Sequence, residues 1–227
     1  LGDVYKRQAL TGLYLAASAG GDTAFARKLM DYGLVVKSND DSIEQRELLV
    51  TRVLQHQQLR WEPIGKSTIG GQQTTLLDLS ARSALLPLER LIRRKIEFAI
   101  AALARSPLLS AHPWFSARSP HWRIQAWATV IHGDGGHQRP HTHPAGWMSG
   151  VYYLDSGDGS EAEGQLVFGH PPDELELSFA ANQLEVIPQT GDLLLFPSFF
   201  LHHTTPYFGS RKRISIAFDV IPSDRPV

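Results

Sequence analysis

From residue 121 onward the sequence is a series of short apolar runs, and this feature restricts the fold more than any other. The runs are rich in Val, Ile, Leu and aromatic residues, and Gly, Pro and Asp separate them. They are WRIQAWATVI, GWMSGVYYL, GQLVFG, LEVIP, GDLLLFP and RISIAFDVI. Several short strands at close spacing predict a β-sandwich or a β-barrel.

The first half of the chain has helical periodicity instead. An apolar stripe opposite a run of Arg and Lys predicts a long helix over about residues 85–104. Residues 9–35 have the pattern of a helix pair, 41–60 that of one more helix, and 62–77 that of a loop. Because helices precede strands without alternation, the predicted fold class is α+β, with N-terminal helices followed by a barrel.

Composition limits the chemistry available to the chain. The formal net charge of −1 gives no reason to expect nucleic acid or a membrane surface as a partner. No stretch approaches the roughly 18 apolar residues of a membrane span. The absence of Cys excludes Fe–S clusters and thiol catalysis, and it fits the cytoplasm, which is the expected location. Any metal site must therefore use His, Asp or Glu.

The chain begins with Leu1 rather than Met, so we expect a fragment or a processed protein. The opening LGDVYKRQ resembles translated sequencing adapter, and residues 1–8 are left out of the fold prediction for that reason. The sequence predicts neither what precedes residue 1 nor the oligomeric state.

Three histidines in the strand region form the candidate metal site. His141 and His143 are two residues apart, so on a strand they point to the same face and can converge on one metal. His202 follows after enough residues to cross several strands and return beside this pair. His203 would point the other way from His202, so only one of these two neighbours can join the site.

Arg213 and Ser215 are the candidate ligand anchors, because they share one face of the last predicted strand. A guanidinium is a planar fork of donors that matches a carboxylate. With a serine hydroxyl beside it inside a barrel, Arg213 is suited to hold the far carboxylate of a small diacid.

The motifs HTHPAGWMSGVYYL, GDLLLFPSFFLHHTTP and RISIAFDV together resemble the iron(II)/2-oxoglutarate-dependent oxygenases of bacteria and phages. In that family an H-x-H-P…SGVYY block precedes G-D-L-L-L-F-P…H and R-x-S. The resemblance covers about residues 76–221 and implies a double-stranded β-helix (jelly-roll) domain there, with helix 85–104 as its support. Some members resemble this chain in having tetratricopeptide repeats in front. The predicted domains are therefore 9–60, helical and tetratricopeptide-like, and 76–221.

The resemblance also implies cofactors, a reaction and residue roles. The enzyme would be a dioxygenase that consumes 2-oxoglutarate and O2, hydroxylates an unidentified prime substrate, and releases succinate and CO2. The implied Fe(II) ligands are His141, His143 and His202. The implied 2-oxoglutarate contacts are Arg213, Ser215 and Tyr152, since either Tyr152 or its neighbour Tyr153 must face the barrel interior.

One departure from the wider superfamily leaves the metal ligands open. That superfamily uses two His and one acid, two residues after the first His. Here that position is His143. A three-His set would leave Fe(II) its full charge, which strengthens attraction for the 2-oxoglutarate dianion and loosens the hold on iron. The possibilities are three His; His141 and His202 with a carboxylate such as Asp134 or Asp155; or His143 and His202, with Ala145 at the acid position.

Two other functions fit parts of the sequence. A cupin-type metal-binding barrel without 2-oxoglutarate chemistry would share the H-x-H element, but Trp147 and Met148 stand where the cupin motif has Glu. In a non-catalytic interaction protein, the helical N-terminal segment would be the functional region. The prime substrate is not predicted: a protein side chain, a peptide and a small metabolite all remain open.

Overall fold

Antiparallel sheets form the centre of the protein. The computed structural model describes residues 2–39, 46–170 and 182–224, with side chains from residue 9 onward. Its helices are α1 Gly2–Ala19, α2 Thr23–Leu29, α3 Arg46–Leu54, α4 Leu86–Ala104, α5 Pro107–Ser110 and α6 Pro113–Ser116, with a 3-10 turn at Tyr32–Leu34. Its strands are β1 Val36–Asn39, β2 Arg60–Trp61, β3 Thr68–Ile69, β4 Gly71–Gln73, β5 Trp122–Ile131, β6 His137–Gln138, β7 Met148–Asp155, β8 Leu166–Phe168, β9 Leu184–Val186, β10 Asp192–Pro197, β11 His202–Thr204 and β12 Arg213–Pro222.

The strands form three sheets. The largest has seven strands in the order β1-β10-β7-β12-β5-β4-β2, and the smaller ones are β11-β8-β9 and β3-β6. Within the described ranges, every strand pair is antiparallel. The predicted mixture of helices and antiparallel sheet is confirmed, and β5 has the bounds of the predicted WRIQAWATVI run.

Strand β12 separates a core from a cavity. Its side chains alternate between the two faces of the sheet, as the period of two requires. The residues on one face are buried in the same apolar cluster as the stripe of α4; they are Ile214, Ile216, Phe218 and Val220. Those on the other face line the main cavity; they are Arg213, Ser215, Ala217 and Asp219. The core thus fixes the strand that carries the candidate ligand anchors.

Helix α4 is the predicted long helix and supports this sheet from outside the cavity. It spans Leu86–Ala104, with Pro87 in its first turn, where proline does not break a helical hydrogen bond. Its stripe is buried through Leu88, Ile92, Ile96 and Ala99. No helix in the described part of the chain has the length and apolarity that a membrane span requires; the cytoplasmic location stays a prediction.

The front of the chain differs from the predicted helical unit 9–60. Strand β1 pairs with β10 and strand β2 with β4, so residues of this segment extend the large sheet at both edges. The physical reason lies in β10, which is buried along its whole length and needs partners for its main-chain groups on both sides. The two predicted domains therefore share one sheet, and the tetratricopeptide likeness stays a prediction.

Three boundaries also differ from the predictions. Helix α1 begins at Gly2, within the adapter-like residues 1–8, for which no element is predicted. The predicted helix 41–60 is helical only over Arg46–Leu54, and residues 40–45 lie outside the described ones. The predicted loop 62–77 contains β3 and β4, which are too short to give an alternation signal.

The docking of α1 predicts a measurable stability contribution. Tyr14 is buried, and its hydroxyl donates to the carbonyl of Gly169 at 2.8 Å. Replacing Tyr14 with Phe removes this donor from a buried carbonyl, so we expect a loss of about 1–3 kcal/mol in the free energy of unfolding. Urea unfolding measures the change. As a control, the half-exposed Leu13 replaced by Ala should cost much less, and equal losses would contradict the docking described here.

Candidate active site

A cavity of about 720 Å³ lies between the large sheet and the β11-β8-β9 sheet. Strands β5, β7 and β12 line it on one side, and Leu166, His202 and Thr204 line it on the other. His141, His143, Arg213 and Ser215 also line it, so every metal ligand and both anchors predicted from the sequence reach one space.

The three histidines are brought together by main-chain hydrogen bonds. The amide of His141 donates to the carbonyl of His202 at 3.0 Å, and the amide of His202 donates back at 3.1 Å. The amide of His143 donates to the carbonyl of Ser198 at 2.9 Å, at the end of β10. One ring nitrogen from each histidine lies within 4.8 Å of the others. His203 lies on the other side of β11, where its ring contacts His170.

Each imidazole is oriented through its Nδ1 atom. The acceptors are the carbonyl of Arg139 for His141 at 2.7 Å, the carbonyl of Phe200 for His202 at 2.9 Å, and Oδ1 of Asp219 for His143 at 2.7 Å. Because these oxygens only accept hydrogen bonds, we assign the proton of each neutral ring to Nδ1. The lone pair of each Nε2 is then available to a metal.

Burial keeps two of the rings neutral. Burial, and after it the neighbouring His143, lowers the pKa of His141 to about 3. Burial also places the pKa of His202 well below its ordinary value, with His141 and His143 acting in the same direction. Metal ligation requires neutral imidazole, so these two rings are in the protonation state that a metal needs at neutral pH.

The donor set fits Fe(II). Imidazole nitrogens are ligands that iron accepts, and this cluster is the one group in the described residues whose His, Cys, Asp or Glu atoms converge for a metal. The carboxylates that the sequence offered as alternatives are elsewhere: Asp155 pairs with Arg211 at 2.6 Å, and neither it nor Asp134 lines the cavity. The methyl group of Ala145 supplies no ligand.

Sequence reasoning missed the carboxylate that does line the cavity, Asp219. Its signal was present, because Asp219 follows Arg213 by six positions and Ser215 by four on one strand, and even spacings put all three on the same face. The spacing does not show that Asp219 contacts His143, because His143 lies in a distant part of the chain.

Arg213 presents an unsatisfied donor to the cavity. Its guanidinium lies over the ring of Tyr153, 4.9 Å from the centroid, and its Nη1 donates to the carbonyl of Gly164. Its Nη2 is buried and has no hydrogen-bond partner within the described part of the chain. Ser215, the next residue on this face, stands opposite Thr129 on β5 and Tyr153 on β7.

The tyrosine beside Arg213 is Tyr153 and not Tyr152, which we predicted as the 2-oxoglutarate contact. Tyr152 is fully buried opposite Ile216 and Leu193, on the core side of β7, and it does not line the cavity. The prediction chose the wrong member of an alternating pair, because the sequence gives the alternation but not its phase.

The charges of the cavity fit a dianion. A buried charged donor without a partner is costly, and a carboxylate oxygen is the group that satisfies it best. Among the described residues, the cationic side chains that line the cavity are Arg60, Lys66 and Arg213, whereas Asp219 is the single acid that lines it and already bonds His143. The residues present therefore fit 2-oxoglutarate with its distal carboxylate at Arg213.

Residues 125–219 match the sequence profile of a family described as "Putative 2OG-Fe(II) oxygenase". This segment is a 2OG-Fe(II) oxygenase domain. Enzymes of this family use Fe(II) and 2-oxoglutarate, so the predicted enzyme class and cofactors are confirmed. The profile match favours the oxygenase over both alternatives that the sequence left open. A search of curated protein sequences finds no match.

Solved structures of 2OG oxygenases share the fold of this oxygenase domain. A Pseudomonas putida prolyl-4-hydroxylase aligns with a TM-score of 0.57 at 17% identity, covering 92% of this chain and 99% of that one. A Trichoplax adhaerens prolyl hydroxylase, in complex with a hypoxia inducible factor peptide, gives 0.54 at 15%, covering 96% and 91%. HygX from Streptomyces hygroscopicus, with nickel and 2-oxoglutarate bound, gives 0.54 at 12%, covering 88% of each chain. At these identities the likeness concerns the fold.

The neutral histidines predict a pH dependence for the metal-free protein. The unfolded chain protonates His141 near 6.5, whereas the folded chain resists protonation until about 3, so stability falls as the pH drops through this interval. Replacing His141 with Gln should reduce the slope of unfolding free energy against pH by about 1.4 kcal/mol per pH unit. Urea unfolding at several pH values measures it, and identical slopes for the two proteins would contradict the assignment.

Proposed function

We propose that this oxygenase hydroxylates a C–H bond of its prime substrate, converting 2-oxoglutarate and O2 to succinate and CO2. In this proposal His141, His143 and His202 hold the iron through their Nε2 atoms. Arg213 and Ser215 hold the distal carboxylate of 2-oxoglutarate. The observation that carries the proposal is the buried Nη2 of Arg213, which has no hydrogen-bond partner among the described residues and lies in the cavity that the three histidines line.

The bound iron and 2-oxoglutarate supply the oxidising chemistry, and the protein supplies position and exclusion of water. Arg213 is held in advance of binding, because its Nη1 is fixed by the Gly164 carbonyl and its plane is fixed by Tyr153. Gly164 has a φ of +61°, and a Cβ at this position would collide with that guanidinium. Pre-ordering of this kind lowers the entropic cost of binding the carboxylate.

Aromatic rings exclude water from two of the histidines. Phe196 contacts His202 edge-on, with ring centroids 4.8 Å apart, and Trp127 stacks on His143 at 5.5 Å. These contacts also fix the planes of the His202 and His143 rings. The antiparallel sheets on either side support assignment of the double-stranded β-helix fold, which is usual for the structural relatives.

If Arg213 anchors 2-oxoglutarate, its replacement should weaken binding of the cosubstrate and leave binding of the metal unchanged. Replacing Arg213 with Ala should weaken 2-oxoglutarate binding by about 10- to 150-fold. This range corresponds to the loss of about 1.5–3 kcal/mol, the contribution of a hydrogen bond to a charged group. Metal affinity should be unchanged, because Arg213 bonds none of the histidines. Calorimetric titrations of Co(II) and then 2-oxoglutarate measure both. The exposed Lys212 replaced by Ala is the matched control, and equal 2-oxoglutarate affinity in the two variants would refute the anchor.

The reaction is tested by reconstitution. The protein loaded anaerobically with Fe(II) and 2-oxoglutarate should release succinate when O2 is admitted, and release should accelerate when a correct prime substrate is present. A panel of free amino acids, peptides and small metabolites distinguishes the substrate classes. Metal-loaded protein that does not bind 2-oxoglutarate would contradict the proposal, whichever substrate is supplied.

A further inference from the structure

We propose that Asp219 is a positioning residue for the iron, which supplies through His143 the negative charge that the wider superfamily places on the metal directly. This inference rests on the proposed function, since it takes His143 as an iron ligand. It concerns an acid that belongs to none of the metal-ligand sets considered from the sequence.

Asp219 is fixed on the cavity face of β12. It stands opposite Ser149 on β7 and Gln125 on β5, and its residue surface is only 8% exposed. Its Oδ1 accepts two hydrogen bonds of 2.7 Å each, from the Nδ1 of His143 and from the hydroxyl of Ser149. Both contacts are long-range in sequence, so the folded barrel, and not a local turn, creates them.

A second serine extends this arrangement. The hydroxyls of Ser149 and Ser198 lie 2.7 Å apart, and because Ser149 donates to Asp219, Ser198 must be the donor to Ser149. Ser198 also accepts the amide of His143 through its carbonyl. The same residues therefore fix the acid, the main chain of the ligand and its ring. The space for the Ser198 hydroxyl exists because residue 146 is Gly: a Cβ there would collide with it.

The three ligands differ in what their Nδ1–H groups face. His141 and His202 donate to neutral backbone carbonyls, whereas His143 donates to a carboxylate. A charged acceptor draws the Nδ1 proton and makes the opposite nitrogen a stronger donor to a metal. With Asp219 counted, Fe(II) and its surroundings carry a net charge of +1, the same as with two His and one directly bound carboxylate.

The contact geometry indicates action through the ring and not direct ligation. Asp219 bonds Nδ1, which is the nitrogen that faces away from the converging Nε2 atoms, and its Oδ1 already accepts two donors. Trp127 stacks on the ring of His143, which hinders a rotation that would exchange the two nitrogens. A carboxylate in this position increases the strength of His143 as a donor to the metal. It thereby compensates for the weaker affinity that three neutral ligands would have for iron.

The test uses Co(II) as the probe and the full chain as the protein. Asp219→Asn keeps the shape and removes the charge, and Co(II) affinity measured by calorimetry should fall about 10- to 100-fold, the usual effect of losing an outer-shell partner of a metal ligand. The Co(II) absorption bands should shift as well, since the donor strength of one ligand changes. Asp155→Asn, which removes an acid that pairs with Arg211 outside the cavity, should leave affinity and spectrum unchanged.

A double-variant comparison separates the inference from its rivals. In a His143→Ala background, adding Asp219→Asn should cause no further loss of Co(II) affinity, because the residue through which Asp219 acts is absent. A further loss would mean direct ligation and would overturn the proposal, as would wild-type affinity in Asp219→Asn alone. Failure of the wild-type protein to bind Co(II) at all would instead refute the proposed function and the inference together.

A measurement on the unmodified protein covers the case in which Asp219→Asn does not fold. In the Zn(II)-loaded wild type with ¹⁵N-labelled histidine, the Nδ1–H proton of His143 should resonate downfield of those of His141 and His202, because its acceptor alone is charged. Three equivalent resonances would overturn the proposal.

Discussion

Two reciprocal main-chain hydrogen bonds between His141 and His202 are the interaction on which the site depends. They join the segment after β6 to the start of β11, two parts of the chain that are distant in sequence. Because the bonds are made by the backbone, the two imidazoles are brought side by side before any metal arrives, with ring centroids 4.3 Å apart. The free energy needed to bring these two ligands together is therefore supplied by folding of the chain.

Charge is distributed unevenly around this pair. Two of the proposed ligands are neutral because burial disfavours their protonation, and the third faces an acid. At the other side of the cavity, Arg213 is buried, and no residue that the structure describes accepts a hydrogen bond from its Nη2. In the proposed arrangement the iron ligands and Arg213 would hold a negative cosubstrate between them, and the electrostatics of the fold favour its binding.

The sequence predicted the parts of the fold that depend on local periodicity. The stripe of α4, the run that became β5 and the spacing of Arg213 from Ser215 all follow from periods of 3.6 or 2, and the structure has each of them. Edge strand β1 is only four residues long, so its pairing with β10 depends on a distant buried strand and leaves no local signal.

The register of strand pairing explains the remaining differences between the predicted and the observed site. In the pairing of β12 with β7, Ser215 stands opposite Tyr153 and Ile216 opposite Tyr152, and this register sets which tyrosine lies on the cavity face with Arg213. A one-residue change of phase exchanges Tyr152 for Tyr153, and no composition pattern fixes it. The contact between Asp219 and His143 likewise joins segments far apart in sequence, which spacing along one strand cannot show.

The most direct test of the account is a crystal structure of the Fe(II) protein with 2-oxoglutarate, prepared without O2. The account predicts one anomalous iron peak within coordination distance of the Nε2 atoms of His141, His143 and His202, and a 2-oxoglutarate carboxylate on Nη2 of Arg213. An iron peak bound by a carboxylate in place of one of these imidazoles, or a cosubstrate that does not touch Arg213, would contradict it.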